Sequence, residues 1–145
     1  FVHDEASAFF GGLAGNAGLF STARDVARVY QMLLNGGEID GQRYLSKETC
    51  QLFTTETSKI SRRGLGFDKP DADDPKKGNC APAAPAEVYG HTGFTGTCAW
   101  VDPVNELVYV FLSNRIYPDV TNRKLNQLHI RERIQGAIYD AMKKK

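Results

Sequence analysis

The sequence has almost no net charge, no long apolar run and few cysteines. Among its 145 residues, 18 lysines and arginines stand against 17 aspartates and glutamates, which gives a net charge of +1. This balance argues against nucleic acid or an anionic membrane as a bulk electrostatic partner. No apolar run approaches the length of a membrane span, and we predict that the basic tail Lys143-Lys144-Lys145 complements the end of a helix.

The cysteines are three, Cys50, Cys80 and Cys98, and none forms a Cys-x-x-Cys pair. An odd count without that spacing indicates neither a zinc site nor a disulfide framework, and it leaves the redox compartment open. We expect no cofactor. The chain starts at Phe1 without a signal-peptide pattern, so we expect it to begin inside a longer reading frame.

Helical patterns occur at three places. Thr22 is predicted to cap a helix that ends at Asn35-Gly36-Gly37, and Ser46 a shorter one that runs to about Phe53. A final helix is predicted over roughly 125–143. Its predicted inner face consists of Leu128, Ile134, Ala137, Ile138 and Ala141.

Strand patterns concentrate in a hairpin over 97–113. Its second strand is almost continuously apolar, which predicts a central strand covered on both faces. A further short strand is predicted at 64–67, and the proline-bearing segment 68–87 is predicted to be a functional or mobile loop. Together these elements predict an α+β fold, with an antiparallel sheet flanked by helices, in one partial domain over residues 1–145.

The segment Gly90–Thr97, which we call the wall segment, leads into this hairpin. It reads Gly-His-Thr-Gly-Phe-Thr-Gly-Thr and offers a cation-capable side chain at His91, a hydroxyl at Thr92 and a glycine at Gly93. A lone histidine before a strand more often only satisfies backbone carbonyls. The surrounding glycines and the hairpin behind it favour a site.

Several segments together resemble the serine beta-lactamase-related and penicillin-binding-protein-like hydrolases. The resemblance covers the C-terminal portion of that family's fold. It is carried by Ala14–Ala23 with the following helix, by Arg63–Phe67, by the block His91–Asn114 and by the last helix. Val2-His3-Asp4-Glu5 and the wall segment are similar to the class C-like or esterase-like domains fused behind family 3 glycoside hydrolases.

The resemblance implies roles for the wall residues. His91 takes the position of the family's lysine, and Thr92 that of the hydroxyl that binds a polar or carboxylate group of the substrate. Gly93 would let the substrate approach the strand. The backbone N–H of Phe94 would be one of two oxyanion donors. Because histidine is largely neutral at pH 7 unless a neighbour raises its pKa, action on an ester or peptide carbonyl fits better than beta-lactam hydrolysis.

The nucleophile expected for this family is absent. None of the serines has a lysine three residues later, and no Gly-x-Ser-x-Gly occurs. Tyr44-Leu45-Ser46 formally fits Tyr-x-Ser but lies before a helix start, so we interpret it as structural. We therefore predict that this chain, taken alone, has no acyl-transfer activity, whereas its parent hydrolyses an ester, an amide or a cell-wall-type peptide.

Other residues leave two interpretations open. Arg115 could face a substrate or form a salt bridge at the rim of the site. His3, Asp4 and Glu5 could line the site or bind a metal, but a solvated N-terminal stub is the favoured interpretation. Trp100 is predicted to be core and His129 a surface or cap residue. The glycines of 11–18 predict tight turns and fit no phosphate-binding loop.

The expected partners are a small-molecule or peptide substrate and the missing N-terminal part of the same domain, with self-association through exposed apolar surface. The resemblance implies an extracytoplasmic location, in the periplasm or cell envelope. Two rivals to the hydrolase remain: a non-catalytic module that holds a peptide or glycan, and a purely structural accessory domain of a larger protein.

Overall fold

The computed structural model describes residues 3–55, 58–71, 73–74 and 78–143, so Pro75 and the last two lysines of the tail lie outside the described residues. Helices and strands alternate with long loops, and the sheet is antiparallel, which confirms the α+β prediction. The elements are α1 Glu5–Phe9, α2 Ala23–Leu34, β1 Glu38–Ile39, β2 Gln42–Arg43, α3 Lys47–Thr55, β3 Tyr89–Thr92, β4 Cys98–Asp102, β5 Leu107–Phe111, α4 Lys124–Gln127 and α5 Ile130–Met142.

The main sheet has the strand order β3-β4-β5, and every residue of β4 is buried. Within the described part of the chain β5 pairs with β4 alone, so the prediction that this apolar strand is central was wrong. Its apolar character has another cause. Helix α2 packs against β4 and β5, while Tyr109 and Phe111 of β5 pack in the core with Ile138 of α5.

The core centres on Trp100, which is 1% exposed and was predicted to be buried. Around it lie Val88, Cys98, Tyr109 and, from the long proline-bearing loop, Cys80. The loop has no helix or strand among its described residues, as predicted, but it contributes to the core as well as to the surface.

The two predicted helix starts are confirmed by their caps. The Thr22 hydroxyl accepts the backbone N–H of Asp25 at 3.2 Å, and the Ser46 hydroxyl accepts that of Thr49 at 3.1 Å. Helix α2 ends at Leu34, with Asn35 as its C-cap and two left-handed glycines behind it, and α3 ends at Thr55 rather than Phe53. Side-chain caps of this kind satisfy N–H groups that have no partner within the helix.

The last helix differs from its prediction in two ways. It is broken into α4 and α5, with His129 exposed between them at a left-handed φ of +48°, which is consistent with a cap position. Its buried residues are Arg131, Gln135 and Tyr139, so the predicted apolar inner face was wrong: Ile138 contacts the core, but Leu128, Ile134, Ala137 and Ala141 are exposed.

The buried face of α5 is polar because it satisfies buried polar groups of its neighbours. Gln135 Oε1 accepts the backbone N–H of Ala81 at 2.8 Å. The Tyr139 hydroxyl donates to Asp102 Oδ2 at 2.8 Å, and the backbone carbonyl of Arg131 accepts the Tyr109 hydroxyl at 3.1 Å. Hydrogen bonds, rather than an apolar stripe, therefore align α5 with the sheet and the loop.

Residues 64–67 form a turn, so the strand predicted there was wrong. The backbone N–H of Gly64 donates to the Phe67 carbonyl at 3.0 Å, and Gly66 has a φ of +96°. Backbone pairing with the sheet occurs at the following residue, where Asp68 and Gly90 exchange two hydrogen bonds of 2.7 and 3.0 Å. This bridge places 58–68 along the free edge of β3.

Replacing Tyr139 by phenylalanine should destabilise the fold. Asp102 is 2% exposed, and its carboxylate also binds the N–H groups of Val104 and Asn105 in the β4–β5 turn. Loss of one donor to a buried carboxylate is expected to lower the free energy of unfolding by about 1–3 kcal/mol, measured by urea denaturation. Tyr44→Phe, which removes an exposed hydroxyl, is the matched control; equal effects of both variants would contradict the prediction.

The three thiols should react slowly in the native chain. Cys50, Cys80 and Cys98 are buried, and burial raises the pKa of Cys80 to about 12 and that of Cys98 to about 11. Since the thiolate is the reactive form, we expect iodoacetamide to modify all three only after denaturation, followed by intact mass. Rapid alkylation of Cys80 in native buffer would show that the loop is not packed as described.

Candidate functional site

The wall segment is built from β3 and the tight turn behind it. His91 lies opposite Ala99 and Thr92 opposite Cys98 in the β3–β4 ladder. The turn closes through hydrogen bonds from Gly93 N–H to the Thr97 carbonyl at 2.8 Å and from Gly96 N–H to the Gly93 carbonyl at 2.9 Å. His91 is therefore held on an edge strand, with its side chain exposed.

Two glycines fix how closely this strand approaches its neighbour. A Cβ on Gly90 would lie 2.1 Å from the Ala99 carbonyl oxygen and 2.6 Å from Cε3 of Trp100, and a Cβ on Gly93 would lie 2.3 Å from Thr97 Oγ1. Contacts of this length require either glycine or a displaced strand. The glycines that suggested close approach of a substrate thus also have a structural requirement within the turn.

Phe94 lies at the tip of the turn and is 60% exposed. Its ring stacks on that of His3, with centroids 6.1 Å apart, and lies 4.8 Å from the guanidinium carbon of Arg115. Among the described residues nothing accepts the backbone N–H of Phe94. A free amide N–H beside an open surface is the arrangement that an oxyanion donor needs.

His3 and Glu5 are exposed and Asp4 is only partly covered, as expected of a solvated stub, but Asp4 and Glu5 are held at the start of α1. Asp4 caps α1 by accepting the backbone N–H of Ser7 at 2.7 Å, and it also accepts from Asn16 Nδ2. These hydrogen bonds lower the pKa of Asp4. Glu5 begins α1 and is exposed, whereas His3 is brought to Phe94.

Arg115 interacts with carbonyl groups. Its Nη1 donates to the carbonyls of Val120 at 3.3 Å and Asn122 at 3.1 Å, and its backbone N–H donates to the Thr95 carbonyl at 3.0 Å. No carboxylate pairs with it within the described ranges. Arg115 therefore ties the 114–123 loop to the wall and places a positive charge over Phe94.

Sequence reasoning gave Arg62, Arg63 and Asp68 no role, but they shape the site. The Arg62 Nε lies 2.8 Å from Asp68 Oδ1, and the Arg63 Nη1 lies 2.7 Å from His91 Nε2. Burial tends to raise the pKa of Asp68, but hydrogen bonds from Asn79 and Arg62 and the charge of Arg62 outweigh it and hold the pKa below its usual value. An arginine pair shortly before an aspartate hints at this pairing, but spacing does not say which arginine reaches which group.

The larger cavities lie away from the wall. One of about 520 Å³ is lined by residues that include Leu33, Cys50, Lys69 and Tyr89, and one of about 750 Å³ is lined by Arg62, Lys69 and Cys80 among others. None of the residues of 91–97 lines either cavity. The exposed side chains of the wall segment therefore belong to neither of these two cavities.

Apolar side chains are exposed along the N-terminal glycine-bearing segment. The least covered are Phe9, Phe10, Leu13, Leu19 and Phe20. The backbone here turns sharply, because Gly18 has a φ of +101° and a Cβ on it would lie 2.0 Å from the Gly12 carbonyl oxygen. We call these five exposed residues the N-terminal apolar patch, because they lie close together in the sequence and are not isolated surface residues.

The described residues contain neither a candidate metal-binding group nor a helix suited to span a membrane. In the ranges 3–55, 58–71, 73–74 and 78–143, no group of histidine, cysteine and carboxylate side chains could hold a metal ion. None of the helices in these ranges has the length and apolar character of a membrane span.

Comparison with known proteins gives a consistent result. The family model described as Beta-lactamase matches residues 2–132. A protein of Escherichia coli O157:H7 named "Putative D-alanyl-D-alanine carboxypeptidase" is 37% identical over 126 residues, and one of the same name from Salmonella agona is 36% identical. Each match covers 86% of this chain but only 29% of the relative, so the chain spans less than a third of their length.

One solved structure is also similar, a penicillin-binding protein homolog from Caulobacter crescentus. It is 26% identical, with a TM-score of 0.48, and the match covers 61% of this chain and 24% of that one.

Gly90→Ala should distort the wall. The new Cβ would clash with the backbone of β4, and overpacking of this kind costs about 1–3 kcal/mol of unfolding free energy. Gly136→Ala on α5 is the control, because its Cβ would meet nothing within 4 Å and should stabilise the helix by about 0.5–1 kcal/mol. Chemical denaturation measures both, and a neutral Gly90→Ala would contradict the packing at this strand.

Proposed function

This chain belongs to the beta-lactamase family, and on that premise we propose that residues 1–145 form the C-terminal part of a serine hydrolase domain. The parent domain hydrolyses an ester, an amide or a cell-wall-type peptide through an acyl-enzyme. The chain by itself lacks acyl-transfer activity. It supplies one wall of the active site, and the nucleophile lies in the part that precedes it.

The observation that carries this proposal is the geometry of the wall segment. Strand β3 ends at Thr92, Gly93 follows it, and the next residue, Phe94, has a backbone N–H without a partner among the described residues. In the proposed reaction Thr92 binds a polar group of the substrate, and Phe94 N–H donates to the developing oxyanion. The second donor comes from the backbone of the nucleophilic serine.

The absence of the nucleophile from the sequence supports the proposal that this chain by itself lacks acyl-transfer activity. Acyl transfer in this family needs a serine activated by a lysine three residues later, and no serine here has one. Loss of a single oxyanion donor costs about 10²–10³ in rate, and the loss of a nucleophile with its base is costlier still. A chain that covers 29% of its relatives has room for the nucleophile upstream.

The N-terminal apolar patch fits the same proposal. We expect the preceding part of the domain to cover Phe9, Phe10, Leu19 and Phe20, whose side chains are otherwise solvated. Burial of large apolar side chains is worth about 1.5–3 kcal/mol each. The chain alone is therefore expected to self-associate through this patch.

The proposed substrate class and location follow the relatives. The similar proteins from Escherichia coli and Salmonella agona are both named "Putative D-alanyl-D-alanine carboxypeptidase". A peptide or ester of the cell envelope, met outside the cytoplasm, is the corresponding proposal for the parent of this chain.

A fluorophosphonate probe with intact-mass detection tests the proposal. We expect this chain to remain unlabelled, because no serine is activated, and a longer protein that includes the upstream segment to gain one label. The longer protein with its Ser-x-x-Lys serine changed to alanine is the control. Labelling of the short chain would contradict the prediction that none of its serines is activated. A longer protein that stays unlabelled would favour a non-catalytic binding module.

A further inference from the structure

Two short contacts define the state of the His91 ring. Its Nε2 lies 2.7 Å from Nη1 of Arg63, and its Nδ1 lies 2.7 Å from the backbone carbonyl oxygen of Thr92. A guanidinium only donates hydrogen bonds, so Nε2 must carry a lone pair. A carbonyl oxygen only accepts, so Nδ1 must carry the proton. Both contacts therefore require the same neutral tautomer, with hydrogen on Nδ1.

The position of Arg63 is set by its neighbours. Arg62 turns inward to the buried carboxylate of Asp68: its Nη2 donates to Oδ2 at 3.0 Å, and its Nε lies 2.8 Å from Oδ1 in ion-pair contact. Asp68 in turn exchanges backbone hydrogen bonds with Gly90, next to His91. Arg62 thus points to the carboxylate of Asp68, whereas the neighbouring Arg63 reaches His91 on the edge of β3.

The backbone of Arg63 is held as well. Its carbonyl accepts the N–H of Ser58 at 2.6 Å, and its N–H donates to the Ser61 hydroxyl at 3.4 Å. The guanidinium is thus presented to His91 by a local turn that is anchored to the sheet at Asp68. The contact does not depend on a freely rotating surface arginine alone.

We propose that Arg63 is a positioning residue that holds His91 as the neutral Nδ1–H tautomer and leaves the fixed positive charge of the wall on the Arg63 guanidinium. In the lysine-bearing relatives that the wall segment resembles, the corresponding side chain would itself be the cation. Here that role is divided between two residues. His91 orients the edge of the strand, and Arg63 supplies the charge.

The chemical consequence rests on the proposed function. With Nε2 occupied by a donor, His91 cannot donate a proton from that atom to a substrate. The guanidinium of Arg63 has five N–H donors, and among the described residues His91 is its only hydrogen-bond partner. The remaining donors are available to a carboxylate of the substrate, a geometry that arginine favours.

The tautomer can be measured directly on this chain by long-range ¹H–¹⁵N correlation of its histidine rings at neutral pH. His91→Gln assigns the His91 signals among those of His3, His91 and His129. The expected wild-type spectrum has a protonated Nδ1 and an unprotonated Nε2 for His91. Arg63→Ala should shift the Nε2 resonance and populate the Nε2–H tautomer, because the donor to Nε2 is lost.

Arg133→Ala, on the exposed side of α5, is the matched control and should leave the His91 ring unchanged. Arg63→Gln gives a second variant that keeps an amide donor, and the amide spectrum reports whether each variant is folded. A wild-type ring protonated on Nε2, or a ring unaffected by Arg63→Ala in the folded protein, would overturn the proposal. Neither result depends on hydrolytic activity, so failure of the proposed function would be seen separately with the fluorophosphonate probe.

Discussion

The buried carboxylate of Asp68 is the constraint on which the wall depends. It is 1% exposed and receives donors from Arg62, Asn79 and the backbone of Lys69, so the cost of burying its charge is offset only while all of them stay in place. The same residue bridges Gly90 through its backbone. Asp68 therefore couples three parts of the structure: its side chain binds Arg62 of the 58–68 segment and Asn79 of the proline-bearing loop, and its backbone binds the strand that carries His91.

A second buried carboxylate organises the opposite end of the sheet in a similar way. Asp102 closes the β4–β5 turn and accepts a hydrogen bond from Tyr139, which anchors α5 across the sheet. Burial, followed by that hydrogen bond, raises the pKa of the Tyr139 hydroxyl, so it remains a donor. The small sheet is thus stabilised by the hydrogen bonds of two buried carboxylates as well as by the apolar cluster around Trp100.

Local sequence rules predicted the capped helices, the hairpin and the wall segment because each depends on neighbouring residues. Thr22 and Ser46 cap the helices that follow them, and Asp102–Glu106 turns the hairpin as its composition suggests. The buried face of α5 was not predicted, because the pattern of apolar residues does not show that Gln135 and Tyr139 form hydrogen bonds with buried groups 54 and 37 residues away in the sequence. The Arg63–His91 contact, at a separation of 28 residues, was hidden for the same reason.

The solvated phenylalanines and leucines of the N-terminal segment alter the thermodynamics of this chain. Side chains that already contact water in the native state add nothing to the apolar surface released on unfolding. The heat-capacity increment and the denaturant dependence of unfolding are then smaller than the length of the chain suggests. Its stability curve is correspondingly flat with temperature, and joining the covering segment would steepen it.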